Sequence, residues 1–416
     1  MENPLHTYIT AFLEQVPMII VQEQNFLQMY LTNVALTDGI KNIQKVMDLE
    51  NTQTLIILHK VQILSQQLFE KSIDNFEEQL LKQQFNIQRI ASYEIIKKYF
   101  SDLSKILEMQ YKKNLEYEVK DEYYYFISFD ALLQPIDKLI QNKMGKQNSL
   151  IFIFVINVYT IQAQFLNEIK NIQILNEDII ERLEKISKEI DNLKNNLVQN
   201  NYTDLIKIGK LEFVDNVLKQ IQNKLIEQQS NQKNNTNDSN NEHQITNEIE
   251  EILKNEKPYF LQIKNQNEKF EKAKLIFQFL LNLTNEFAKK LIIRDLYLIH
   301  NNEVRQYIKE QLIEKFYNLY QYIFNEIIIF GGQIIQKTQQ QQLQKVQTSS
   351  NEQDLQNESI FKTYENFSKE QQINFLKNIA LQLKVKVSDY VENDRDIYLL
   401  KPSQFKDDLY QISKFL

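Results

Sequence analysis

Histidines and paired carboxylates are the residues of this chain whose types could do chemistry, and their spacing decides whether they would. His6, His59, His243 and His300 stand far apart. None forms the close pair or the helical i, i+4 pair by which a protein usually holds zinc, so no metal site is expected. His59 falls in an amphipathic stretch and His243 in a polar one, where packed or solvated side chains are the simpler reading. The acidic group IEEILKNE, Ile249–Glu256, could supply two carboxylates for acid–base work. Its neighbours are lysines and polar residues, the composition of a solvated helix face.

Two further motifs carry a chemical suggestion. FGGQ, Phe330–Gln333, has the Gly-Gly-Gln of the loop with which translation release factors hydrolyse peptidyl-tRNA. That chemistry needs an exposed loop on an RNA-binding protein, whereas here the tripeptide lies between IIIF and II in an acidic chain. Two adjacent glycines are expected instead to end a helix and let the chain turn. The tyrosine run DEYYYF, Asp121–Phe126, suits a binding patch, because tyrosine is enriched at interfaces, but a helix packed on several sides explains it as well. The chain has no cysteine, which excludes disulfides, thiolate nucleophiles and Cys-based zinc sites. It also has too few glycines for phosphate-cradling loops or nucleophile elbows. The expectation is a protein that is not an enzyme and uses no cofactor.

The elements that would position these residues follow from turn chemistry. Among 416 residues there are five glycines and five prolines, far below the average usage of roughly 7% and 5%. An all-β fold would need turn residues every ten positions or so, and a doubly wound fold would need loops after each strand. Long helices remain. A hydrophobic fraction of 43% can build cores over this length, and several in series suit it better than one sphere. The fold class expected is all-α, an elongated rod of stacked helical bundles.

Net charge is −7, and of 48 basic residues only Arg89, Arg182, Arg294, Arg305 and Arg395 are arginine. Nucleic-acid binding is disfavoured, since it relies on clustered Lys and Arg, with arginine supplying the bidentate contacts. The start, MENPLHTYITAFLEQVP, lacks the basic residues and continuous apolar run of a secretory signal, so a cytosolic chain is expected.

Apolar spacing locates the helices. Ile57, Val61, Leu64 and Leu68 share one face that continues to Phe76 and Leu80, and Ile276, Leu280, Leu283 and Phe287 repeat the pattern. Ile179, Leu183, Ile186, Ile190, Leu193 and Leu197 form a heptad seam flanked by Glu and Lys. At about three heptads it reads as a helix packed within a bundle sooner than as a coiled coil. SLIFIFVINVYTI, Ser149–Ile161, continues helically, because Leu150, Phe154, Val158 and Ile161 are extended by Phe165, Ile169 and Ile172. Its thirteen residues span about 20 Å, short of the roughly 30 Å of a bilayer core. A buried bundle helix is expected, in which Asn157 and Gln162 need partners. The polar stretches Ser230–Gln244 and Thr338–Ser359 have no period and read as disordered insertions. The chain then divides into helical bundles over 1–229, a polar insertion over 230–247, a middle bundle over 248–337, a Gln-rich insertion over 338–359 and a terminal helical segment over 360–416.

The order of several motifs resembles the C-terminal half of the sixth subunit of the conserved oligomeric Golgi complex, a vesicle-tethering assembly. LLQPIDKLI, Leu132–Ile140, is similar to that family's leucine-rich helix with a polar or acidic residue before a proline; Pro135 matches the proline, and Gln134 stands where an acidic residue is common. FVIN, Phe154–Asn157, is similar to its Phe-x-x-Asn segment. EIDNLKNNLVQNNYTDLIKIGKL, Glu189–Leu211, resembles its long helix through Asp191, Leu193, Gln199 and Gly209, with Lys210 intervening before Leu211. Phe277–Ile327 is similar in its plan of paired helices, and LLKPSQFKDDL, Leu399–Leu409, resembles the closing segment, where Pro402 also suits the first turn of a helix. The polar stretches at Ser230 and Thr338 match nothing in that pattern, and the family's N-terminal coiled-coil region has no counterpart here.

The resemblance implies a rod of the CATCHR tethering type. It further implies a non-enzymatic, peripheral subunit on the cytoplasmic face of the Golgi membrane that acts in intra-Golgi retrograde transport. Its partners would be other tether subunits, SNAREs and Rab GTPases. The alternatives are a subunit of another helical tether such as exocyst, or a cytoskeletal or nuclear helical scaffold. Location and recovered partners separate them.

Overall fold

The structure is a computed structural model that describes residues 26–47, 53–85, 93–116, 127–145, 148–172, 175–220, 223, 259–283, 295–342, 364, 366–390 and 397–414. Among these residues no strand occurs and nearly all are helical, as the shortage of turn residues requires. The tyrosine run 121–126, the acidic group 249–256 and the polar stretch 230–244 lie outside the described residues, as do His6 and His243.

The chain divides into two compact units. The first comprises Met1–Asn196 with Leu298–Asn302, and the second Leu197–Tyr297 with Glu303–Leu416.

In the first unit, α1 (Phe26–Met47) packs on α2 (Gln53–Lys82) and on α3 (Glu94–Glu116). Helix α4 (Phe129–Met144) packs on α2, and α5 (Ser149–Glu168) lies against both α3 and α4. Helix α6 (Asn176–Gly209) begins in this unit. Ser128 and Asn148 start α4 and α5 as N-caps, their side chains accepting from Ala131 N at 3.2 Å and Ile151 N at 2.9 Å. Pro135 sits inside α4, past the first turn, where it removes a helix hydrogen bond. The carbonyl that loses its donor is Ala131 O, four residues earlier, and on the next residue the buried Tyr99 hydroxyl donates to Leu132 O at 2.6 Å. Tyr99 is itself fixed by stacking on Phe76, with ring centroids 4.2 Å apart, and by contact with Phe26 at 5.2 Å.

Helix α5 runs for 20 residues, or about 30 Å at 1.5 Å per residue. The thirteen-residue estimate from sequence was therefore too short, and length does not set this helix apart from a membrane span. Its surroundings do: Phe152 through Val158 are all buried, as are Thr160, Ile161, Gln162, Phe165 and Leu166. By length and composition Ser149–Asn171 could cross a membrane, but 67% of its most apolar window is buried within the protein. Apolar on nearly every side, it is the core helix of the first unit. The heptad seam of α6 behaves as a bundle face, with Ile179, Ile186, Leu193 and Leu197 buried.

In the second unit α6 ends in a Schellman turn. Lys210 takes φ 53°, its N–H donates to Lys207 O at 3.1 Å, and Leu211 N donates to Ile206 O at 2.9 Å. Glycine usually takes that left-handed position. Here Gly209, one residue earlier, is needed for close approach, because a Cβ there would fall 2.6 Å from the Phe279 ring. Next come α7 (Tyr259–Gln262), α8 (Gln266–Leu283), α9 (Asn302–Gln342), α10 (Lys369–Gln382) and α11 (Pro402–Ser413). Ile276, Leu280 and Leu283 are buried as their spacing predicts. Helix α9 continues to Gln342, five residues into the stretch read from sequence as a Gln-rich insertion. Pro402 opens α11 as expected, and that helix is held to α9 by Tyr320, which stacks on Phe405 at 4.0 Å and donates to Leu400 O at 2.7 Å.

The FGGQ tripeptide is corrected by α9, which passes through it unbroken. Gly331 does not end a helix; it lets α10 approach, since a Cβ there would lie 2.4 Å from Ile379 Cδ1 and 2.8 Å from Phe375 Cζ.

Candidate functional site

Among the described residues of the first unit, Asn157 of FVIN is a buried polar group with several partners, and it is 0% exposed. Helix α5 must be apolar all round to sit in the core, so a polar side chain there is costly unless each of its atoms finds a partner. Asn157 finds three. Its Nδ2 donates to Leu298 O at 2.8 Å and to the Tyr93 hydroxyl at 3.2 Å, and its Oδ1 accepts from His300 N at 2.8 Å. One amide thus reads two main-chain groups two residues apart and fixes Leu298–Asn302 against α5. Tyr93 completes the clamp by stacking on Phe154 and meeting the His300 ring edge-on at 4.9 Å. Burial pushes the Tyr93 phenol up to about 12, against the opposing effect of the Asn157 hydrogen bond. Burial, then the charge of Lys97, pushes the His300 imidazole down.

Gln162, five residues along the same helix, has the opposite fate. It is also 0% exposed, yet neither its Nε2 nor its Oε1 meets a partner among the described residues. The sequence marked both amides as needing partners, and only one has them.

A second buried polar centre lies in the second unit, on α9. Glu326 is 3% exposed, and its two carboxylate oxygens accept from Tyr259 N at 2.7 Å and Phe260 N at 3.1 Å. It therefore caps α7 from another helix, supplying the acceptor that the first turn of a helix lacks. Burial pushes its carboxyl up to about 7, outweighing those two N–H donors, the Tyr322 hydrogen bond and the charge of Lys269. Lys269 is held beside it, donating to Gln333 Oε1 at 3.1 Å and lying over the Phe330 ring. Sequence reasoning missed Glu326, although a lone acid inside IFNEIIIF was the available signal.

The first unit also has a cleft of about 840 Å³ between α1, α2 and α3. Phe26, Met29, Leu68, Phe76, Ile95 and Tyr99 line it together with Lys71, Lys98, Glu78 and Asp102. Glu78 pairs with Lys82 at 2.8 Å, and Asp102 faces Lys105 at 3.6 Å. Of the remaining sequence candidates, His59 is partly buried on α2 and His300 serves the Asn157 clamp through its main chain. No group of three metal-ligating side chains occurs among the described residues.

The two buried centres share one design, a side chain from a core helix gripping main chain of a segment distant in sequence. In both centres the side chain positions main chain. No protein-family model, no curated protein and no solved structure matches the chain.

Proposed function

We propose that this chain is a non-enzymatic scaffold subunit of a vesicle-tethering complex of the conserved oligomeric Golgi type, acting in intra-Golgi retrograde transport. It works by presenting helix faces to other tether subunits, SNAREs and Rab GTPases on the cytoplasmic face of the Golgi membrane, to which it attaches through those partners. Its architecture in this reading is an elongated rod of stacked bundles, and amphipathic helices of partners dock in grooves between its helices. The observation that carries the reading is the order of three resembling segments, which form the successive helices α4, α5 and α6. Their marker residues Pro135 and Asn157 sit where a side chain holds main chain: Tyr99 donates beside the proline break, and Asn157 clamps Leu298 and His300. The all-helical architecture supports a scaffold without choosing its partners.

The test is mass spectrometry of proteins recovered with a tagged copy expressed at its own locus. Stoichiometric recovery of other Golgi-complex subunits, with the tagged protein in Golgi puncta, supports the reading. Recovery of exocyst subunits at the plasma membrane, or of cytoskeletal or nuclear proteins alone, replaces it with one of those two assignments.

A further inference from the structure

The seam between α1 and α2 is built in two halves of opposite character. Tyr30 faces Phe69 with ring centroids 5.5 Å apart, and Gln62 Nε2 donates to Thr37 Oγ1 at 2.9 Å. Those two pairs fix an antiparallel register that brings Asn33 level with Ser65. In the inner half the seam is aromatic and anchored: Phe26 and Phe76 meet Tyr99 of α3, Ile73 and Leu80 are buried, and Lys138 of α4 pairs with Glu77 at 2.9 Å. In the outer half polar side chains share the buried line with Ile40 and Val61: Asn33, Thr37 and Lys41 recur at successive turns of α1, and Gln62 and Ser65 are buried on α2. Asn33 Nδ2 and Ser65 Oγ have no partner among the described residues. Meanwhile Ile56 and Ile63, one heptad apart on α2, are 49% and 53% exposed.

Buried polar atoms without partners lower the stability of the packing they interrupt, while aromatic pairs raise it. Local stability therefore differs along one pair of helices. We propose that Asn33–Met47 and Gln53–Ser65 form a hinged arm, opening reversibly as a unit while the inner half of the pair stays closed on α3 and α4. Opening exposes the Thr37 and Gln62 faces to water, where their polar groups are satisfied, and the closed arm already keeps two isoleucines outside. The cost of separating the outer half is thus small. The hinge lies between Ser65 and Phe69, where the seam changes from polar to aromatic.

Hydrogen exchange followed by mass spectrometry on the full chain tests it. Amides of Asn33–Met47 and Gln53–Ser65 are expected to exchange together, about ten-fold or more faster than those of Ile73–Leu80. The double variant Asn33→Leu with Ser65→Ala replaces both unpaired groups by apolar ones and should slow the arm by about ten-fold, leaving Ile73–Leu80 unchanged. Thr37→Val removes the cross-helix hydrogen bond and should speed the arm without touching the inner half. Equal protection along the whole of α2, simultaneous exchange of the inner and outer halves, or an arm indifferent to the double variant would each overturn the proposal.

Discussion

Replacing Asn157 and Gln162 separately by leucine should change stability in opposite directions, although both are amides on one helix and both are wholly buried. Asn157→Leu removes three hydrogen bonds and leaves Leu298 O, His300 N and the Tyr93 hydroxyl to find other partners. A buried group left unsatisfied costs about 1–3 kcal/mol. Leu298 is 5% exposed, so its carbonyl bears that cost nearly in full, whereas the exposed His300 allows water to reach its N–H. The sum is about 3 kcal/mol of destabilisation. Gln162→Leu removes two polar atoms that have no partner, replaces them by apolar ones of similar volume, and should stabilise by about 1–2 kcal/mol. Because the chain has two compact units, one global transition would mix their stabilities. The assay is therefore hydrogen exchange of peptides from α5 under conditions where exchange reports the opening free energy, supported by urea midpoints from far-ultraviolet circular dichroism. Loss of about a hundred-fold in protection is expected for the first variant and a gain of about ten-fold for the second. An Asn157→Leu protein within about 0.5 kcal/mol of the parent, or a Gln162→Leu protein less stable than it, would refute the reasoning.

Other perturbations follow from the same geometry. Gly331→Ala should destabilise by about 1–2 kcal/mol, since the added methyl meets Ile379 and Phe375; Gly39→Ala, in α1 with nothing within 4 Å of the new Cβ, should stabilise by up to about 1 kcal/mol. Urea midpoints of the two variants check the pair, and equal effects would show that the glycine contacts do not matter. For Glu326 the folded carboxyl sits at about 7 against a reference of 4.5. Between those values the unfolded chain loses its proton while the folded one keeps it, so stability is greatest below the lower value and falls as pH rises through the upper one, by about 3 kcal/mol. Urea midpoints across that range should drop in the parent and lose this component in Glu326→Gln; parallel profiles would count against the buried acid. Tyr99→Phe should cost about 1–2 kcal/mol by removing the donor to Leu132 O beside Pro135, and a thermal midpoint equal to the parent's would show that this carbonyl is satisfied otherwise.

What the sequence made legible was periodicity, and it failed where polar residues occupy a buried line. The stripe read on α2 through Ile57, Val61, Leu64 and Leu68 is displaced in the structure: Val61 is buried, but Ile57, Leu64 and Leu68 are only half-buried, while Gln62, Ser65 and Phe69 take the core-facing positions. A period computed from apolar residues alone cannot place a face that is lined partly by amides and hydroxyls. The α5 row shows the reverse case, for Phe154, Val158, Ile161, Phe165 and Ile169 are buried as their spacing implies, and only its ends depart, Leu150 being 39% exposed and Ile172 half-buried. Gly331 was misread for a different reason. Tandem glycines signal a helix end only when a turn follows, and here they fill the contact with α10, an element almost forty residues away in sequence. Such long-range steric demand leaves no local trace.

Buried polar groups are the features of this chain that periodicity ranks as faults and packing turns into specificity. An all-apolar α5 could slide or rotate against its neighbours at little cost, because a Leu or Ile is satisfied by any apolar contact. Asn157 is satisfied only when Leu298 O and His300 N are both within reach, so it fixes the register of the 298–302 segment. Glu326 does the same for α7 in the second unit, where only a partner presenting two main-chain N–H groups will serve. If this is their role, double replacement of Asn157 and Tyr93 by leucine and phenylalanine should leave the helix content unchanged but make exchange of Leu298–Asn302 heterogeneous, with more than one mass envelope per peptide. A single sharp envelope, uniformly faster than in the parent, would mean that these groups supply stability alone and that the apolar contacts of α5 already select the register.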